Sequence, residues 1–177
     1  MNSDLFLSIL ALDSYNRGYN AGVEFGPGSD QSGGKIGNAT IFLNKGDSAA
    51  QAAGFYGIAY TLEVDGALKT VISYRGTDNY IPYAPGNDIL NGWTTSAGFA
   101  DQSEAKLAID FYQAVTGRDA YSSAEPPNVV LTGHSLGGAL AGLVGALSGA
   151  QAVGFDHAPF GTRLVTANDA APARMAA

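Results

Sequence analysis

The chain of 177 residues contains no cysteine, two histidines and one tryptophan. Without cysteine it forms neither a disulfide nor a thiolate metal site, and it has no thiol nucleophile. Chemistry that needs an imidazole must therefore use His134 or His157, or a group supplied from outside this sequence.

Basic residues are also scarce, with nine Lys and Arg against sixteen Asp and Glu, a formal net charge of -7 and a pI of about 4.5. Such a chain offers no basic patch for phosphates, so its composition argues against nucleic acid as a partner. No apolar run approaches the roughly 20 residues of a transmembrane helix. No Lys or Arg precedes Arg17, so the N-terminus is a poor match to a secretory signal peptide.

Apolar and glycine residues are plentiful instead. The hydrophobic content is 46% and the charged content is 14%, which predicts a packed core, and the length predicts one domain, or most of one, over residues 1–177. The 24 glycines follow no regular period, which is typical of turns and close packing.

Apolar spacing and turn residues predict an alternation of strands and helices. This pattern favours an α/β fold with a mostly parallel sheet, to which an N-terminal antiparallel hairpin is added. The predicted elements are a helix over 3–16, a loop over 18–37, hairpin strands over 59–64 and 68–74 around Asp65-Gly66, a helix over 101–116, a strand over 129–132, a helix over 136–147 and a strand over 152–155.

One stretch carries a chemical motif. Residues 128–144, NVVLTGHSLGGALAGLV, place Ser135 between two glycines where a predicted strand meets a predicted helix. Gly-x-Ser-x-Gly in that setting is a nucleophile elbow, a tight turn that lifts the serine clear of the sheet and needs glycine at Gly133 and Gly137. Ser135 is therefore the predicted nucleophile. The N–H of Leu136, at the helix N-terminus, is a predicted oxyanion donor.

Together with Arg75-Gly76-Thr77 at the end of the second hairpin strand, this motif resembles the class 3 (fungal-type) lipases. Residues 74–79, 88–93 and 111–115 further resemble the lipase domains of bacterial secreted proteins with calcium-binding (RTX-type) repeats, and the similarity covers nearly the whole chain. The resemblance implies an α/β-hydrolase fold and a serine carboxylic ester hydrolase acting on triacylglycerol or other acyl esters. It makes Thr77 the second oxyanion donor. Arg75 is expected to anchor the turn rather than to contact substrate.

The resemblance carries further expectations. The chemistry needs no metal and no cofactor, and calcium would belong to repeats that this sequence does not contain. Repeat-bearing lipases leave the cell through a C-terminal signal, so the resemblance implies a secreted bacterial protein without an N-terminal signal peptide. Residues 79–98 occupy the position of a lid that would contact a lipid interface. The alternative is a surface loop whose apolar side chains pack on the core.

The sequence does not identify the general base that would take the proton of the Ser135 hydroxyl. A serine hydroxyl needs an adjacent imidazole that a carboxylate orients. His134 adjoins the nucleophile and is expected to be packed or hydrogen-bonded below the turn. His157 follows Asp156, but neighbouring side chains in an extended segment point apart, so this pair is a weaker candidate. Asp169 follows His157, against the usual order of acid and base.

We therefore expect the catalytic Asp and His beyond Ala177, in a C-terminal segment or a second chain of the same protein, and a sheet that is incomplete at its C-terminal end. Three explanations are open: one fragment of a larger lipase, which we favour, a truncation, or a rewired or inactive hydrolase. The rival function is a non-catalytic half-domain that binds lipid or another chain. Reaction of Ser135 with an ester separates an enzyme from that rival.

Overall fold

The computed structural model describes residues 3–19, 33–64, 67–76, 103–122, 124 and 128–157. Within these ranges the chain forms four α-helices and six strands. In chain order these are α1 Ser3–Asp13 with a 3-10 turn at Ser14–Asn16, β1 Lys35–Ile36, β2 Ala39–Lys45, α2 Ser48–Ala52, β3 Gly57–Val64, β4 Ala67–Tyr74, α3 Ser103–Thr116, β5 Val129–His134, α4 Leu136–Ser148 and β6 Gln151–Phe155. Outside the described residues lie the predicted lid 79–98, Thr77 and Asp169.

The six strands form one mixed sheet in the order β1-β2-β3-β4-β5-β6. The pairings from β1 to β4 are antiparallel, and β4–β5 and β5–β6 are parallel. The α/β class is thus confirmed. The expectation of a mostly parallel sheet is wrong for the described residues, because β1 and β2 extend the antiparallel side.

Sequence reasoning missed both of these added strands. The two residues of β1 fall inside the predicted loop over 18–37. Strand β2 contains a register shift between Ile41 and Leu43, which interrupts the simple alternation by which strands are read. The hairpin of β3 and β4 is confirmed, with Val64 opposite Ala67 on either side of the predicted Asp-Gly turn.

Helices cover both faces of this sheet. Ile72 and Tyr74 belong to one apolar cluster and Val71 to another, and alternate residues of a strand point to opposite faces. The cluster around Ile72 and Tyr74 includes α3 and α4, whereas the cluster around Val71 includes α1. No helix in these ranges has both the length and the apolar character needed to cross a membrane.

The core-facing side of α1 differs from the predicted one. The sequence predicts an apolar stripe of Leu5, Ile9 and Leu12 with nearby Phe6, yet Leu5, Ile9 and Leu12 are exposed. Phe6 is buried as predicted, together with Leu7 and Leu10, in the apolar cluster around Val71. Because α1 is apolar on several sides, spacing alone does not select the buried face.

A buried ionic group joins the end of α1 to the sheet. The Arg17 Nε lies 2.9 Å from an Asp13 carboxylate oxygen, and both side chains are almost fully buried. The Tyr60 hydroxyl of β3 donates to Asp13 over 2.8 Å. Burial, and then the neighbouring carboxylate of Asp13, raise the pKa of Tyr60 well above its usual value. Tyr60 is therefore a neutral hydrogen-bond donor to this pair.

Arg75, directly after β4, is buried in an aromatic enclosure. Its guanidinium carbon lies 4.1 Å from the centroid of the Tyr19 ring and 4.8 Å from that of Tyr56. Its Nη1 donates to the carbonyl oxygens of Arg17 over 3.2 Å and of Tyr19 over 2.8 Å. These contacts hold the segment after α1 against the end of β4.

We expect Arg75→Lys to lower the free energy of unfolding by about 2 kcal/mol. A lysine ammonium is not planar, so it cannot stack between two rings while donating to two carbonyls. Urea denaturation measures the change, and Arg118→Lys at an exposed position is the matched control. Equal stability of the two variants would contradict the anchoring role of Arg75.

Candidate active site

Ser135 lies at the junction of β5 and α4 with an uncommon backbone conformation. Its φ is 55° and its ψ is -124°, a region that favours glycine. Such a conformation costs on the order of 1–3 kcal/mol in a non-glycine residue, and residues of this kind cluster at functional sites. A serine at the start of a helix usually caps it, but the side chain of Ser135 makes no capping bond to α4.

The flanking glycines are required by the packing of the turn. A Cβ at Gly137 would overlap the carbonyl oxygen of Tyr74 and approach the carbonyl carbon of Arg75 to 2.8 Å. A Cβ at Gly133 would overlap the backbone of Gly137 and lie 2.7 Å from the Tyr74 oxygen. The start of α4 can therefore lie against the end of β4 only when both residues lack a side chain.

The parallel pairing of β4 and β5 brings the Arg75-Gly76 segment beside the serine. Tyr74 is opposite Gly133 in the register, and a Cβ at Gly76 would lie 3.2 Å from the Cβ of Ser135. The N–H of Gly76 donates to the hydroxyl of Tyr15 over 3.1 Å. The next backbone N–H along the chain belongs to Thr77.

Leu136 begins α4 and has a buried side chain. The first amides of a helix have no carbonyl partner within it and lie at its positively polarised end. The helical hydrogen bonds of this turn include the one from the Ala139 N–H to the carbonyl oxygen of Ser135, over 3.2 Å. The N–H of Ser135 donates outside the helix, to the carbonyl oxygen of Phe155 in β6, over 3.1 Å. The Leu136 amide is therefore chemically suited to a developing negative charge.

His134 is half-buried and makes a hydrogen bond with Tyr15. The Tyr15 hydroxyl lies 3.0 Å from the His134 Nδ1, and the two rings meet edge to face with centroids 5.8 Å apart. Sequence reasoning did not identify Tyr15 as a residue of the site. The two residues are 119 positions apart, and no local pattern near Tyr15 signals the contact.

His157 follows a backbone turn that the sequence did not reveal. Asp156 has a φ of 44°, so the segment is not extended here, and the extended geometry assumed for this pair is wrong. A Cβ at Gly138 would lie 2.7 Å from the Cβ of His157. The turn thus brings His157 against Gly138 in the first turn of α4. Both Asp156 and His157 are exposed.

No group of three or more His, Asp or Glu side chains in the described ranges is arranged to hold a metal ion. The sheet and helices define the chain as an α/β protein with a mixed sheet. Comparison with protein-family models, with curated proteins and with solved structures gives no significant match. A functional assignment therefore rests on the geometry around Ser135.

Proposed function

We propose that this protein is a serine carboxylic ester hydrolase, of the lipase or esterase type, that forms an acyl-enzyme on Ser135. The observation that carries the proposal is the conformation of Ser135, with a φ of 55° at a strand–helix junction where Gly133 and Gly137 leave no room for a Cβ. An α/β-hydrolase fold, a relation to the class 3 lipases and secretion belong to the same proposal. The position of Gly76 beside the serine supports it as well.

The proposed reaction begins with attack of the Ser135 Oγ on the carbonyl carbon of an acyl ester. A base takes the hydroxyl proton as the new C–O bond forms, and the N–H groups of Leu136 and Thr77 hold the oxyanion. One such donor contributes about 3 kcal/mol to the stability of the transition state. The intermediate collapses, the alcohol leaves with the proton returned by the base, and water then releases the acid by the same route.

We propose that the acid and the base come from a C-terminal segment or a second chain of the same protein. The sequence contains two histidines, and the Nδ1 of one of them, His134, is already engaged with Tyr15. Strand β6 has β5 as its one neighbour among the described residues, so its other edge offers a place for a further strand. The rival proposal is a half-domain that catalyses nothing alone, and the same two observations favour it.

A fluorophosphonate ester probe tests the proposal, since it forms a stable adduct with an activated serine. The assembled protein, with the segment or chain that supplies the acid and the base, is incubated with the probe and digested, and mass spectrometry locates the adduct. We expect one adduct, on Ser135, together with hydrolysis of p-nitrophenyl butyrate. An unlabelled Ser135 in a folded chain would favour the half-domain, and labelling at another serine would overturn the assignment.

We expect His157→Ala to leave ester hydrolysis by the assembled protein within about threefold of the wild-type rate, because surface substitutions usually have small effects. His157 is exposed, and its Cβ rests on the first turn of α4. Initial rates with p-nitrophenyl butyrate measure the effect, and Asp156→Asn is a companion variant. A loss of several orders of magnitude with the fold preserved would identify His157 as the base.

A further inference from the structure

The hydroxyl of Tyr15 connects the two sides of the Ser135 turn. Tyr15 lies in the 3-10 turn Ser14–Asn16 at the end of α1. Its hydroxyl oxygen is 3.1 Å from the N of Gly76, 3.0 Å from the Nδ1 of His134 and 3.4 Å from the carbonyl oxygen of His134. One side chain from the opposite end of the chain thus contacts both the end of β4 and the residue before the nucleophile.

The atoms fix the roles of donor and acceptor at Gly76, and the distances favour one assignment at His134. A backbone N–H can only donate, so the phenol oxygen accepts from Gly76. A phenol carries one proton, and its shorter contact is the one to the His134 Nδ1, at 3.0 Å against 3.4 Å for the carbonyl oxygen. When His134 is neutral, Nδ1 can accept that proton only if the ring proton is on Nε2. In the alternative arrangement Nδ1–H donates to the phenol and the phenol donates to the His134 carbonyl oxygen, which uses the longer contact of 3.4 Å, so the distances favour the Nε2–H tautomer.

We infer that Tyr15 is a positioning residue of the Ser135 site. Its hydroxyl holds His134 as the Nε2–H tautomer and orients the peptide of Gly76 against the elbow. With the Gly76 N–H engaged by the phenol, the donor that follows it is the N–H of Thr77. The consequence for catalysis rests on the proposed function, whereas the hydrogen bonds do not depend on it.

Tyr15→Phe removes the hydroxyl and keeps the ring. We expect kcat for p-nitrophenyl butyrate to fall at least about tenfold, because small displacements of reacting groups have large effects on rate. KM should stay within about twofold, since a loss confined to the transition state lowers kcat and kcat/KM together. The matched control is Tyr60→Phe, which removes another phenol hydroxyl that contacts the end of α1, through Asp13.

Nuclear magnetic resonance of the imidazole nitrogens provides the second measurement. With two histidines in the sequence, a His157→Gln variant assigns both rings. At a pH of about 9, where imidazoles are neutral, the wild-type His134 should show a protonated Nε2 and an unprotonated Nδ1. In Tyr15→Phe both nitrogens should move toward averaged shifts, and in Tyr60→Phe they should keep the wild-type shifts.

The two measurements separate this inference from the proposed function. An unchanged tautomer in Tyr15→Phe overturns the inference, whatever the enzyme kinetics. A changed tautomer with an unchanged kcat overturns the role in catalysis. If the assembled wild-type protein shows no reaction that depends on Ser135, the proposed function fails and the catalytic role of Tyr15 fails with it, while the nitrogen shifts still test its hydrogen bonds.

Discussion

Ester hydrolysis by this protein should fall at least about a thousandfold when Ser135 is replaced by alanine. The substitution removes the atom that forms the acyl-enzyme, and no other group can take its place in the turn. The fold should survive, because the side chain of Ser135 makes no capping bond to α4. Initial rates with p-nitrophenyl butyrate and circular dichroism of the same preparation measure the two effects.

Ser73→Ala is the matched control for this loss. Ser73 is a buried serine of β4 whose Oγ has no hydrogen-bond partner among the described residues. Removing an unpartnered buried hydroxyl is nearly neutral or slightly stabilising. The control should therefore retain wild-type activity and stability. Ester hydrolysis that persists in a clean Ser135→Ala preparation would contradict the assignment of Ser135 as the nucleophile.

A second replacement at the same position separates strain from chemistry. Glycine adopts the backbone conformation of Ser135, with its φ of 55°, without a Cβ penalty. Ser135→Gly should thus be inactive, yet more stable than Ser135→Ala by about 1 kcal/mol. Such a result would mean that the turn keeps a strained serine for function at a cost in stability. Equal stability in urea denaturation would contradict strain at this residue.

Gly137→Ala should lower the free energy of unfolding by about 3 kcal/mol and reduce ester hydrolysis strongly. The new Cβ would overlap the carbonyl oxygen of Tyr74 and lie 2.8 Å from the carbonyl carbon of Arg75. These are backbone atoms of the last residue of β4 and of the residue after it, so they cannot rotate away as a side chain would. Relief requires α4 to move from the sheet, and that movement carries Leu136 and Ser135 with it.

Gly117→Ala is the control that separates the steric overlap at Gly137 from the conformational cost of replacing a glycine by alanine. Gly117 has a φ of 68°, and a Cβ there meets nothing within 4 Å. Its replacement should lower stability by about 1 kcal/mol, through conformation alone, and leave activity unchanged. Similar losses of stability and activity in both variants would contradict the close approach of α4 to β4.

The elements from β3 onward were predictable because their signals are local. The apolar run before Ser135 predicted β5, and the Asp-Gly pair predicted the hairpin of β3 and β4, which the structure confirms. The first strands were missed for a physical reason: the pairing of β2 shifts register between Ile41 and Leu43, and β1 has two residues, too few for a pattern. The buried face of α1 was misjudged because both of its faces are apolar.

The residues of the candidate site also fall into those that the sequence predicted and those that it did not. Gly133, Ser135 and Gly137 were found together because all three lie in one short motif whose geometry is local. Tyr15 was not found, since its contact with His134 spans 119 positions and depends on how α1 packs on the sheet. The left-handed turn at Asp156 was also missed, because an aspartate is compatible with both extended and left-handed backbone.

The sequence by itself determined the α/β class, the strand–turn–helix around Ser135 and the scarcity of imidazoles, because each depends on composition or on neighbours along the chain. Only the tertiary structure decided which face of α1 is buried, that the Gly76 backbone lies beside Ser135, and that Tyr15 bridges Gly76 and His134. These features arise from packing between segments distant in sequence. Their contact energies are absent from any local pattern and exist only once the sheet has formed.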